Sequence, residues 1–361
     1  MYRVSNTSVP LTRKEKQLFK PHLEKLGLDH NIWDVYEQFL NTPSEYSKPG
    51  ILRMYDHNLL LAVVFIMKCR NYGPTLTSSK GMHRIIRNSG IPVYLWMKSG
   101  VAAETFTNPG FLNVAVDSFD QTKLLQLIKK QFFLLFIHDL AGNAELYSDS
   151  VKLQYPDNGI IETRDFKSIQ DYLNLHKNLK KKLRHYSKNG GRVDVLPGKL
   201  NKQLQLKIKQ SALSTSQLSL FKLPFQENYA NMCMSSAGID NQRIIHFICC
   251  SDKVFYGYHT FIRFENQMYC MNGAFNRNLP TTHHAYENMI YSTVEYGIEQ
   301  GISSIHYGPV LNETKKRMME QFIPTQLYVY SYIPGAVKIV SPFLKKSGLQ
   351  NTKLLEYSGI Q

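Results

Sequence analysis

Apolar positions in the C-terminal half follow two clear periods. Three stretches, RIIHFICCS (243–251), VFYGYHTFIRFE (254–265) and MYCMNGAF (268–275), are rich in β-branched and aromatic residues, with breaks at Ser251-Asp252-Lys253 and Glu265-Asn266-Gln267. Such runs between turn-forming residues predict a three-strand antiparallel meander. The period then changes to that of a helix: Tyr286, Ile290, Val294 and Ile298 step by four. Thr281 or Thr282, after Pro280, offers an N-cap and Gly301 a stop. A short strand at SSIHYGP (303–309), a helix at NETKKRMMEQF (312–322) and a last strand at TQLYVYSYI (325–333) complete the half. Hairpins feeding a β-α-β step predict an α/β fold.

The N-terminal half repeats this logic. Residues 12–42 carry helical spacing through Leu18, Leu23, Leu26, Trp33, Tyr36 and Phe39. Residues 48–70 read as two strands around a turn at Asp56-His57-Asn58, and 91–97 and 111–117 as short strands. A helix over 118–131 leads to a buried strand at 132–140. Residues 168–191 form a helix with Leu173, Leu179 and Leu183 on its apolar face, stopped by Gly190-Gly191. A short strand, RVDVL, and a helical region over 200–221 follow. Similar element order in both halves predicts a duplicated architecture: lobes over 1–165 and 166–340 and a tail over 341–361.

Composition narrows the class. The 361 residues are 43% hydrophobic, with 22 Tyr and 19 Phe, enough for a sizeable core and two lobes. No run of about 18 apolar residues is present, so no transmembrane segment is expected. The opening MYRVSNTSVPLTRKEKQLFK lacks an apolar signal region. The five cysteines, Cys69, Cys233, Cys249, Cys250 and Cys270, form no CxxC, which argues against a disulfide framework and against a bound metal. A reducing, cytoplasmic setting is the expectation. Net charge is +15 and uneven: residues 177–209 hold eleven Lys/Arg against the single acid Asp194. That segment suits phosphates of a small donor, a tRNA or a peripheral membrane contact, or is simply a solvated helix face.

Three stretches resemble the GNAT superfamily of acyltransferases, and within it the tandem-lobe branch of FemAB-type aminoacyl transferases and BioF2-like acetyltransferase domains. They are FKSIQDYLNLHKNLKKKLRHYSKNGGRVDVL (166–196), KVFYGYHTFIRFENQMYCMNGAFN (253–276) and HAYENMIYSTVEYGIEQGISSIHYGPVLNETKKRM (284–318). They are similar to the family's basic helix, its central hairpin and its helix-strand-helix step ending in Glu-x-Lys-x-Arg, here Glu313 to Arg317 with Lys316 directly before the arginine. The resemblance covers the C-terminal half and reaches the other half only by topology. It implies two tandem GNAT-like lobes, each a mixed, largely antiparallel sheet flanked by helices. The implied reaction is direct transfer of an acyl group to a small-molecule amine, without a covalent enzyme intermediate. The donor would be a thioester of CoA or of acyl carrier protein. An aminoacyl-tRNA donor is the second reading, and a non-catalytic basic cleft for nucleic acid or anionic lipid the third. The family's glycine-rich pyrophosphate loop is absent before the 281–301 helix, where NRNLPTTHH stands instead.

Several residues are candidates for chemistry. His283 and His284 open the helix, where the dipole disfavours imidazolium, so a neutral histidine can take a proton from the attacking amine; the alternative is plain surface. Free N–H groups of that first turn, with Thr281 and Thr282, suit an anion. Asn272-Gly273 ends a strand that should abut the donor, Gly permitting close approach, or is an ordinary strand end. Tyr307 lies near a strand's C-terminal end, as general acid for the leaving thiolate or as core. Lys315 and Arg317 match the family's basic pair after that strand and would meet a phosphate, or face solvent. Lys181, Arg184 and His259 are candidates for a basic substrate cleft, although a lone strand histidine is more often structural. Cys249, Cys250 and Cys270 read as core.

Overall fold

The computed structural model describes residues 2–25, 47–69, 93–97, 114–115, 121–218, 226–276, 284–310, 313–333 and 335–338, with Trp33, Glu37, Leu40 and Leu279 as single positions. The strands are β1 (Tyr2–Thr7), β2 (Ser47–Asp56), β3 (Leu59–Cys69), β4 (Val93–Met97), β5 (Val114–Ala115), β6 (Leu134–Leu140), β7 (Val151–Ile161), β8 (Arg192–Pro197), β9 (Ile244–Cys250), β10 (Phe255–Phe264), β11 (Gln267–Phe275), β12 (Ser304–Pro309) and β13 (Gln321–Tyr330). The described α-helices are α1 (Arg13–Leu18), α2 (Lys20–Lys25), α3 (Gln121–Lys129), α4 (Ile169–Leu175), α5 (Leu179–Lys188), α6 (Lys202–Leu218), α7 (Gln226–Ser236), α8 (Ala285–Glu299) and α9 (Glu313–Met318).

One sheet joins both halves in the order β1-β2-β3-β4-β6-β13-β7-β12-β11-β10-β9-β8. It is antiparallel except for two parallel pairs, β4 with β6 and β11 with β12. Each parallel pair is bridged by a helix, α3 in the first half and α8 in the second, which is the expected duplication. The halves exchange their last strands. β7, from the first half, pairs with β12, while β13, from the end of the chain, pairs with β6. The exchanged strands also pair with each other, so the sheet runs unbroken through the middle.

Three differences from the sequence expectations stand out. β7 lies in a stretch to which the apolar pattern assigned no element; Pro156, Asp157, Asn158 and Gly159, all turn formers, stand inside it. Glycine is required at 159: a Cβ there would lie 2.6 Å from Met319 and 2.8 Å from Val310. The 168–191 helix is two helices, α4 and α5. His176, with φ −108° and ψ 67°, leaves helical geometry between them. The 281–301 helix begins only at Ala285, with His284 as its N-cap residue, so neither Thr281 nor Thr282 caps it.

The core has three parts. Ile244, Ile248, Tyr258, Ile262 and Met271 of the C-terminal half pack with α6, α7 and residues of β2 and β3, filling the space between the halves. On the other face of the C-terminal half, Ile245, Phe247, Phe261 and Ile305 meet α4, α5 and α8 through Tyr172, Tyr186, Ile290 and Val294. Leu52, Val64, Leu135 and Ile137 meet α3 in the N-terminal half.

Candidate active site

The sheet parts between β11 and β12. β11 and β12 are paired only at Gln267–Ser304, Met268–Ile305 and Tyr269–His306. Immediately beyond, each strand carries a register shift toward its other neighbour: β11 against β10 at Met271, and β12 against β7 at Tyr307. An extra residue bends its strand. Two bulges on opposite sides of one parallel pair therefore send the strands apart, and 270–275 have no ladder partner on β12. Gly308, with φ +73°, continues the turn of β12 away. Buried Lys315 of α9 moors that end, donating to the carbonyls of Tyr307 (2.8 Å) and Pro309 (2.6 Å).

One wall of the opening is aromatic. The His259 ring lies 5.6–6.1 Å from the rings of Phe275, Tyr286, Phe261 and Tyr307. Burial, with Lys315 nearby, pushes its pKa down to about 3, so the imidazole is neutral. Its Nδ1 is buried without a hydrogen-bond partner among the described residues, and the buried Tyr307 hydroxyl has Thr293 of α8 as its polar neighbour. Burial also pushes the Tyr307 phenol far up, keeping it protonated. Gly273 is glycine because a Cβ would collide with the His259 ring. On the opposite face Asn272 donates to Ser236 of α7 at 3.3 Å, and its Oδ1 has no hydrogen-bond partner among the described residues. Tyr269 and His306 stack there, ring centroids 4.3 Å apart.

The N-terminus of α8 follows β11. His284 adopts the left-handed conformation (φ 52°), and its carbonyl accepts from the Asn288 backbone (3.1 Å) and side chain (2.8 Å). Its Nδ1 lies 3.7 Å from the carboxylate of buried Glu287, which also takes Lys182 of α5 at 2.6 Å. The His185 ring sits 5.5 Å away. Partial burial, then Lys182 and His185, hold His284 below the ordinary histidine pKa, against the opposing pull of Glu287. A neutral, half-exposed imidazole at physiological pH can accept a proton. The expected neutrality therefore has burial as its leading cause.

The predicted residues fall into separate groups. Asn272, Gly273, His259 and Tyr307 meet at the opening, with Lys315 at its end. His259 is buried among rings rather than in a basic cleft. Lys315 faces backbone carbonyls rather than solvent. Arg317 of α9 is exposed, as are Lys181 and Arg184 of α5. Thr281, Thr282 and His283 lie outside the described residues. Glu287 escaped sequence reasoning, although a Glu three residues after the N-cap is a recognisable signal, and Lys182 of the basic helix was read without its Glu287 partner. Burial pushes the Cys250 thiol up to about 11 and that of Cys249 higher, so neither is an activated nucleophile. Among the described residues no His/Cys/Asp/Glu group could hold a metal, and no helix is long and apolar enough to cross a membrane.

No protein-family profile and no curated protein sequence matches this chain. Solved structures do. L-PGS from Bacillus licheniformis superposes with a TM-score of 0.54 at 12% identity, covering 93% of this chain and 97% of that one. FemX gives 0.53 at 9% identity over 94% and 100%. The C-terminal domain of a putative lysylphosphatidylglycerol synthetase from Agrobacterium fabrum gives 0.50 at 8% over 87% and 92%. At these identities the likeness establishes the fold, the two-lobed arrangement expected from the sequence.

Proposed function

We propose that this protein is an acyltransferase in which an amine attacks the carbonyl of an activated acyl donor at the opening between β11 and β12. The observation that carries this reading is the parting of the strands straight after Tyr269 and His306. A strand edge without a neighbour takes up an extended, amide-bearing arm as an added strand. An acyl thioester on CoA or acyl carrier protein has such an arm, and backbone N–H groups of the edge can face the carbonyl oxygen as it gains charge. His284 takes the amine proton; the C–N bond forms, the C–S bond breaks, and the Tyr307 hydroxyl protonates the departing thiolate. Asn272 and Gly273 line the donor's path. Lys315 shapes the opening through the carbonyls it holds. Thr281 and Thr282 are proposed to bind the donor and His283 to assist the proton transfer, on the sequence alone, and exposed Arg317 with Lys181 attracts the donor's anionic end. The lobes are 1–165 and 166–340, followed by the tail.

A second reading has an aminoacyl-tRNA as donor. The exposed cations of α5, Lys181, Arg184 and Lys188, support it, as does the fold shared with L-PGS and a putative lysylphosphatidylglycerol synthetase. The test compares the two donors directly. Purified protein is given acyl-CoA and an amine mixture, with free thiol as the readout, and in parallel lysyl-tRNA with deacylation as the readout. Amine-dependent thiol release that falls about 100-fold in His284→Ala, at unchanged melting temperature, is the expected result. Deacylation alone moves the donor to tRNA. Salt-sensitive tRNA binding without turnover of either donor overturns the catalytic reading and leaves a binding module.

A further inference from the structure

A second concave site lies outside the opening, where α5, the start of β8 and α8 meet. The pocket holds about 440 Å³. Its floor is apolar, made by Leu183, Tyr186 and Val193, and its rim carries Arg184, Lys188 and Arg192. It shares no lining residue with the opening.

The local chain is built to hold this shape. Gly190, at φ +72°, turns the chain sharply after α5. Gly191 follows where a Cβ would lie 2.5 Å from the Tyr186 ring. The Tyr186 hydroxyl then donates to the Arg192 carbonyl at 3.0 Å, pinning the first residue of β8 against α5. The Arg192 guanidinium is oriented by Asp252 (2.8 Å) and Asp194 (3.2 Å).

Arg184 and Lys188 differ. They stand four residues apart on one helix face, and among the described residues neither has a carboxylate at ion-pair distance. Like charges at this spacing repel. A concave wall focuses their field instead of letting solvent disperse it. Across the pocket Ser292 offers a hydroxyl, while the Tyr291 hydroxyl turns aside to Glu295 at 2.9 Å and leaves its ring to the pocket.

We propose that this pocket binds a phosphate group attached to an apolar or aromatic body. The phosphate sits among Arg184, Lys188 and Arg192, and the body lies on Leu183, Tyr186 and Val193. The Arg184 fork and the Lys188 ammonium match several oxygens at once, as a phosphate presents, and Arg192, oriented by Asp194 and Asp252, adds its remaining N–H groups at the rim. The floor requires an apolar partner and so disfavours free phosphate. The inference stands apart from acyl transfer from a thioester, whose proposed residues it does not use, while Arg184 and Lys188 are shared with the tRNA footprint of the second reading.

The experiment uses the full chain and direct binding. Probes are adenosine 5′-monophosphate, adenosine, inorganic phosphate, and vesicles of phosphatidylglycerol or phosphatidylcholine. Saturable binding of the monophosphate, at least tenfold tighter than adenosine or phosphate, identifies a soluble ligand. Binding of phosphatidylglycerol vesicles but not phosphatidylcholine vesicles identifies a lipid headgroup as the source. In either case the exposed double variant Arg184→Glu/Lys188→Glu weakens binding at least tenfold, while the charge-matched control Lys167→Glu/Lys177→Glu, away from the pocket, does not. Absence of saturable binding by either class overturns the proposal. Equal losses in the two double variants overturn it as well, since that is the signature of bulk charge. Absence of acyl transfer leaves it intact.

Discussion

The two halves use the same β-α-β step and end it differently. In the N-terminal half β4 pairs with β6 at all five of its residues, Val93–Leu134 to Met97–His138, and neither strand is bulged against its outer neighbour. In the C-terminal half three pairs form before the strands part. The contrast comes from two extra residues, Met271 and Tyr307, set beside the last common pair. One half therefore closes its sheet and serves as scaffold, while the other is held open. The open half also has a buried lysine, Lys315, that grips backbone carbonyls, and it gathers three strongly depressed histidines, His246, His259 and His306.

Acid should separate the halves most strongly. Burial lowers His246 to about 4, His259 to about 3 and His306 to about 4 in the C-terminal half, and His138 to about 3 in the N-terminal half. His246 shows the form that folding demands. The Gly198 carbonyl can only accept, so Nε2 carries the proton (3.0 Å), and Nδ1 accepts from the Thr260 hydroxyl (2.9 Å). In the unfolded chain each histidine titrates near 6.5. Below that pH the unfolded chain binds protons that the folded one refuses, so stability is lost as pH falls from about 6.5 toward the folded values. Each group costs up to about 1.4 kcal/mol over the first pH unit, or about 4 kcal/mol for three against about 1.4 for one. Hydrogen exchange at pH 7 and 5.5 checks this: amides of β9 to β12 should lose more protection than those of β3 and β6. Equal losses would break the contrast.

A pair of substitutions sharpens it. Lys315→Met strips two charge-assisted hydrogen bonds from the end of β12 and should cost about 3 kcal/mol, together with acyl transfer. In the N-terminal half Tyr147 donates to buried Asp139 at 2.5 Å, and its ring stacks on Tyr328 at 4.1 Å. Tyr147→Phe removes that donor at about 1–2 kcal/mol and should leave transfer unchanged. Denaturant unfolding and turnover measured on both variants decide it. Loss of transfer in Tyr147→Phe would mean that the closed half also works at the site.

The open half was the more legible one. The meander, α8 and β12 follow simple apolar periods, and their strand and helix positions match the expectation closely. What stayed hidden was the joint between halves. β7 carries its turn-forming residues in mid-strand, since Gly159 makes room for Met319 and Val310 and the Asp157 carbonyl accepts from the Val310 backbone. No local period reports a strand selected by its place between two others. β13 likewise begins at Gln321, inside the expected helix, because the Glu320 backbone is already bound to the Ile160 carbonyl. At the site, residue type was readable and partner was not. Lys315 reads as a surface cation until its carbonyl partners are known. His259 reads as a strand histidine until the rings of Phe261, Phe275, Tyr286 and Tyr307 close around it.

The smallest predicted effect concerns the helix starts. α3 of the closed half has no acid in its first turn, whereas α8 has Glu287 between Lys182 and His284. If His284 is the base, its neutral form is the working form, and kcat/KM falls on the acid side with a midpoint at its pKa, below the ordinary value. The Glu287 carboxylate favours imidazolium and Lys182 disfavours it. Glu287→Gln should therefore move the acid limb to lower pH, and Lys182→Gln should move it to higher pH. Each shift should be less than about one unit, since such pairs contribute about 1 kcal/mol or less near the surface. A purely structural pair would lower turnover in both variants without moving either midpoint. Opposed shifts at nearly constant melting temperature would place Glu287 and Lys182 as positioning residues that tune the His284 proton.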